Sequence, residues 1–274
     1  MLNVIKSSLN ANIRGISLVS NNIANSNTTA FKKSYSNFSD IYSKNIGDNP
    51  KGFSGMGVIN DSPRKQMFQG PLKQTNGALD LAVSGLGFLT LASANDTENR
   101  FYTRDGSLAL SSNGEVINQQ GLNLLAHPVI DNATFNPAIF EKVVIEPNIT
   151  DSLGNTRILT NVNVSSSGVL KAVYGLDEEV VIAKIPLTSF ESMESLQSEG
   201  NNLFKPTTQS GEPIVGIALE NNMGEIISGF LEGSNVEITD TEISITNESN
   251  RVDKLPYCVV IWTADIKPNL PEFA

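Results

Sequence analysis

The sequence predicts a mainly β protein with one long N-terminal α-helix, its β-rich part folding as a barrel or sandwich carried on a helical terminal region. Three observations lead there. Apolar side chains repeat at helical spacing over residues 2–24. Short apolar runs separated by turn dipeptides fill residues 79–185. The composition, 39% apolar and only 18% charged, is filled out by Asn, Ser, Thr and Gly, residues that suit turns and polar sheet surfaces better than long helices.

The helix comes first. Leu2, Ile5, Leu9, Ile16, Val19 and Ile23 fall on alternating three- and four-residue spacing, with Asn12 taking the one missing place. Such a stripe is a narrow seam of the coiled-coil kind, suited to one or two partner helices. The cluster Asn25–Thr29 should end the helix. Residues 30–78 then read as extended and loop-rich, because Gly47, Pro50, Gly52, Gly55, Gly57, Pro63, Gly70, Pro71 and Gly77 recur too often for a long element.

Strands follow. Asp80–Val83 and Gly87–Leu91 are apolar runs, and Asp105-Gly106 and Asn113-Gly114 read as hairpin turns between Phe101–Thr103, Ser107–Leu110 and Glu115–Asn118. Val143–Ile145, Ile158–Val164, Val169–Tyr174 and Val180–Ile185 make a second set, with a turn at Ser165–Gly168. The chain is thereby divided into an N-terminal helix and arm (residues 1–78), a β-rich domain (79–200) and a returning arm with a divergent end (201–274).

A net charge of −10 makes nucleic acid and anionic membrane surfaces poor partners. Basic residues cluster in the first quarter (Lys6, Arg14, Lys32, Lys33, Lys44, Lys51, Arg64, Lys65) and acids dominate later. The single cysteine, Cys258, allows no intrachain disulfide and no thiolate metal cluster. His127, the only histidine, precedes Pro128 and reads as an ordinary surface residue in a loop; Glu178-Glu179 reads as a solvated turn. No phosphate loop or catalytic constellation emerges, so no enzyme, cofactor or metal is expected. The first residues lack the pattern of a cleaved signal peptide, and no 18-residue apolar run is present to span a membrane.

The string Ser20-Asn21-Asn22-Ile23-Ala24-Asn25-Ser26-Asn27-Thr28-Thr29-Ala30-Phe31-Lys32 resembles the N-terminal signature of the flagellar hook and rod axial protein family. Further segments are similar to the same family in the same order. They are Gly77–Phe88; Tyr102–Leu108 with Asn113-Gly114 and Gly121-Leu122; Gly200–Phe204 with Ser210-Gly211; and Gly229–Val236. The resemblance covers about residues 1–240. It implies a structural subunit that polymerises with its own kind, with helices from both chain ends forming the inner layer of a hollow tube. It also implies export through the flagellum's own apparatus, a place in the basal body and hook, and neighbours among the rod, hook-cap and hook–filament junction proteins. The expected subunit interface comprises Leu2, Ile5, Leu9, Ile16, Val19 and Ile23, together with Asn21, Asn22, Asn25, Thr28, Phe31 and Lys32.

Within the family, a compact β region fits a hook or a distal rod subunit, and the segment Phe38–Tyr42 favours the hook, with the distal or proximal rod as the alternative. A secreted adhesive or glycan-binding β module is the remote alternative; it explains the strands but not the seam. One departure stands out. The family's last helix is expected after Ser234-Asn235-Val236, yet Glu237–Ala274 shows strand-like Ile243 and Ile245 and the prolines Pro256, Pro268 and Pro271 instead. A frame change or a divergent ending would leave that pattern.

Overall fold

The computed structural model describes residues 2–44, 53–131, 134–150, 154–175 and 178–237. The expected C-terminal departure, from residue 238 onward, lies outside the described residues.

Helix α1 spans Leu2–Ala24, as the spacing predicts, and ends where the Asn21 carbonyl accepts from both the backbone N and, at 2.9 Å, the side-chain Nδ2 of Asn25. It packs against an antiparallel hairpin, β1 (Phe38–Lys44) and β2 (Phe53–Asn60), where the sequence pattern gave only an extended arm. The glycines that argue against a long element are used inside it. Gly57 has φ +111°, and a Cβ there would lie 2.2 Å from Ser7 Oγ of the helix. The bare backbone lets the strand seat under the helix, and Val58 N donates to Ser7 Oγ while Asn60 Nδ2 donates to the Ala11 carbonyl.

The chain then runs through β3 (Leu72–Gln74) into β4 (Leu81–Ser84), β5 (Leu89–Ser93), β6 (Asp96–Thr103) and β7 (Asn123–Asp131). After these come β8 (Thr156–Val164), β9 (Val169–Tyr174), β10 (Glu178–Lys184), β11 (Pro186–Ser189), β12 (Leu203–Lys205), β13 (Ile214–Ile217), β14 (Glu225–Ser228) and β15 (Phe230–Glu232). The main sheet is antiparallel and runs edge to edge as Asn148–Thr150, β8, β9, β10, β7, β5, β6, β12, Gln197–Gly200. Its two edges do not meet among the described residues, so the mainly β class with a leading helix holds while no closed barrel forms.

Alternation along the strands sets the core. Val162 and Val164 stand opposite Ala172 and Leu170, and Leu124 stands opposite Leu91, all buried. Together with Leu81, Val83, Ile145, Tyr174 and Ile185 they form one apolar cluster. A second, aromatic cluster joins Phe88, Tyr102, Phe190 and Phe204, with Tyr102 and Phe190 edge to face at 4.9 Å between ring centres.

Two turns behave as expected: Asn113-Gly114 closes a hairpin between Ala109–Leu110 and Val116–Ile117, and Ser165–Gly168 joins β8 to β9. Asp105-Gly106 does not make a hairpin. Asp105 Oδ1 instead accepts from the Ser107 backbone and hydroxyl, and the Gly106 carbonyl accepts from Leu81 N, stitching the loop to β4. His127 is likewise not a surface loop residue. It lies buried within β7, its Nδ1 2.8 Å from the Ile139 carbonyl and its ring against Phe140. Glu178 and Glu179 belong to β10 rather than a turn, beside Arg157 and Lys171.

Both arms re-enter the domain side by side. Strand β14 pairs β4, and β15 pairs β3, each antiparallel.

Candidate subunit interface

Three seam residues face outward. Helix α1 seats on the hairpin through Ser7 and buries Ala11 and Asn12. Ile5 is 52% exposed, Leu9 36% and Ile16 41%, and beside them Ile13 is 56% exposed. Val19 and Ile23 are half-buried, and Leu2 opens the helix. Ile13, together with the exposed Val4, widens the apolar face beyond the heptad positions. This 23-residue helix is an amphipathic element that leaves Ile5, Leu9, Ile13 and Ile16 of its apolar side exposed.

The Asn-rich signature does different work. Asn21 is exposed, while Asn22 is buried and makes a reciprocal pair, its Nδ2 donating to the Ser34 carbonyl and its Oδ1 accepting from Ser34 N. Thr28 Oγ1 donates to Asn25 Oδ1. Ala30 takes the left-handed conformation, φ 55°, that a turn residue must supply here. Phe31 is buried with the Lys65 ammonium 4.5 Å over its ring, and Lys32 is 1% exposed.

Each residue from Thr29 to Lys33 is tied down by the second half of the chain. Asn202 Nδ2 donates to the Thr29 carbonyl, Ala30 N donates to the Glu232 carbonyl, and Asn235 N donates to the Phe31 carbonyl. Asn235 Oδ1 accepts from Lys33 N, while its Nδ2 donates to the carbonyls of Gln66 and Phe68.

At the centre is Glu232, fully buried. Its Oε1 accepts from Lys32 Nζ at 2.5 Å and from Gly70 N at 2.8 Å, and its Oε2 lies 3.6 Å from Arg104. Arg104 also donates to the carbonyls of Val83 and Gly85, and Lys32 donates to the Phe68 carbonyl. Gly70 admits no side chain, since a Cβ would sit 2.2 Å from the Gly233 carbonyl oxygen. Burial pushes the Lys32 ammonium below its ordinary value and Glu232 offsets this only in part; Arg104 is pushed the same way by burial.

Arg104, Glu232 and Asn235 escaped the residue-by-residue reading of the sequence. A lone acid in the apolar run Phe230-Leu231-Glu232-Gly233 was the available signal, because an acid enters such surroundings only with a cation to meet it.

Among the described residues, no group of three or more His, Cys, Asp or Glu could hold a metal, and no helix is long and apolar enough to cross a membrane. Residues 82–172 match the family model described as the flagellar hook protein FlgE/F/G D1 domain. The chain is 30% identical to the flagellar basal-body rod protein FlgG of Buchnera aphidicola subsp. Acyrthosiphon pisum over 88% of its length and 87% of the relative's. It is 28% identical to the FlgG of Borreliella burgdorferi over 87% of its length and 85% of the relative's. Against the flagellar hook protein FlgE of Escherichia coli K12 it is 30% identical over 59% of its length but only 36% of the relative's. The chain therefore belongs to the flagellar hook and rod axial protein family.

Proposed function

We propose that this chain is a rod-type axial subunit of the flagellar basal body, polymerising with copies of itself and with neighbouring axial proteins, and that it is not an enzyme. Coverage carries the rod reading over the hook reading: the rod relative and this chain match along nearly their whole lengths, whereas the hook relative extends far beyond the match. The hook reading keeps the support of the shared segment alone, and the segment Phe38–Tyr42 that favoured it lies in the hairpin under the helix.

The outward seam carries the polymerisation reading. Burying Ile5, Leu9 and Ile16 against another helix removes apolar surface worth about 25 cal/mol per Å² from water. Asn22, Phe31 and Lys32 serve the contact indirectly, by fixing the helix's root within the chain. Polymerisation places the chain among rod and hook neighbours, delivered by the flagellar export apparatus. Leu9→Glu with Ile16→Glu is expected to abolish tube formation, seen by electron microscopy and sedimentation, while the β-sheet circular dichroism stays that of the parent. Tubes formed by that variant would sink the seam assignment.

A further inference from the structure

The buried cluster of Lys32, Glu232 and Arg104 joins three parts of the chain distant in sequence. Lys32 comes from the segment that follows helix α1, Arg104 from the end of β6, and Glu232 from the end of β15, 200 residues beyond Lys32. All three side chains are buried, at 1%, 3% and 0% exposure. Burying three charges is costly, and apolar residues of the same volume commonly serve stability as well or better. Glu232 Oε1 takes two directed donors, Lys32 Nζ and Gly70 N, a constraint on geometry that an apolar plug of the same volume would not supply.

The seat in question is that of the helix. After Ala24 the chain turns through Asn25–Ala30 and reaches Lys32 before entering Ser34–Tyr35, which pairs with Arg64–Lys65. The helix packs on β2 and on Ser34–Tyr35, so its direction relative to the main sheet depends both on the hairpin and on how residues 29–35 are fixed. Among the described residues, Tyr35 Oη also reaches Glu194, in a solvent-exposed hydrogen bond, and, the Lys32 ammonium aside, the ties of residues 29–33 to residues 202–235 run through neutral groups. We infer that Glu232, hydrogen-bonded to Lys32 on the arm side and lying 3.6 Å from the Arg104 guanidinium on the domain side, is the positioning residue that sets the direction in which helix α1 projects from the β domain. This rests on the reading of the helix as the assembly element. It adds that assembly depends on a residue that contacts no neighbouring subunit.

Two variants separate positioning from mere stability. Lys32→Met cuts only the arm side and leaves Arg104 paired with Glu232; Glu232→Gln keeps the shape and removes the charge. Each is made in the full chain with Cys258→Ser and with spin labels on cysteines placed at exposed Asn10 of the helix and exposed Ser112 of the β domain. Distances are read by pulsed electron spin resonance on dilute protein.

The parent should give one narrow distance distribution. Lys32→Met should lose that single narrow peak while amide exchange at Leu91 and Leu124 stays at parent rates, and Glu232→Gln should do the same wherever its core is retained. A narrow, unshifted peak in Lys32→Met would overturn the inference. So would loss of core protection in both variants, which would make the cluster an element of the core. The readout does not involve polymerisation: a parent that forms no tubes would defeat the assembly reading and leave the positioning result standing.

Discussion

Glu232 shows how far one side chain's chemistry reaches in this protein. Its carboxylate lies beside two cations and a backbone amide, so truncating it strands Lys32 and Arg104 as buried, unpaired charges. Glu232→Ala is expected to cost about 3–5 kcal/mol in urea unfolding, the usual penalty for breaking a buried pair from one side. A cost near that of a surface carboxylate would show that water reaches the cluster. Tyr174 gives a pH test. Burial, and secondarily Glu146, hold its phenol above the ordinary value of 10.0, and its hydroxyl donates to the Glu146 carbonyl. The folded state thus keeps a proton that the unfolded chain gives up. That contribution is full below pH 10 and is lost as pH rises through the folded value. Tyr174→Phe should lose about 1 kcal/mol at neutral pH with the hydrogen bond, yet decline less steeply above pH 10 in pH-dependent denaturant titrations. Sequence reveals little at this scale. His127 before Pro128 looks like a loop residue because proline so often ends a strand; here β7 carries both, and the ring lies tilted against Phe140 where no local pattern points.

Among the elements, helix α1 and the alternating strands of the main sheet were the most legible, since each follows from a period in its own residues. The hairpin β1–β2 was hidden for the opposite reason. Its glycines serve a partner rather than a turn: Gly57 is bare because Ser7 of the helix lies where a side chain would be. A contact between residues 7 and 57 leaves no local signature. Gly57→Ala combines a left-handed φ with that clash and is expected to cost about 1–3 kcal/mol, lowering the thermal midpoint. Pairing it with Ser7→Gly should recover part of the loss. An unchanged midpoint in the single variant would mean that helix and hairpin do not need so close an approach. Of the candidate interface, the seam was readable and the clasp was not. The string Asn21–Lys32 looked like one functional patch, but Ala30, Phe31 and Lys32 turn inward onto Glu232 and Asn235, which lie far along the chain.

For the whole molecule, the pairing of distant segments decides the layout. Residues 29–33 meet 232–235, β3 meets β15 and β4 meets β14, so everything between β4 and β14 leaves and returns through adjacent antiparallel strands. Surface turns inside that span should accept added length. A short Gly-Ser insert after Gly154, where nothing lies within 4 Å, should shift the thermal midpoint only slightly. The same insert after Gly70, which is packed on the Gly233 carbonyl, should destabilise strongly. Equal effects at the two sites would show that the return strands do not isolate one part from the other. The β domain thus hangs from a two-ply stalk, with its first and last residues at one port. Length added to or removed from the span between those strands need not move the helix or its root.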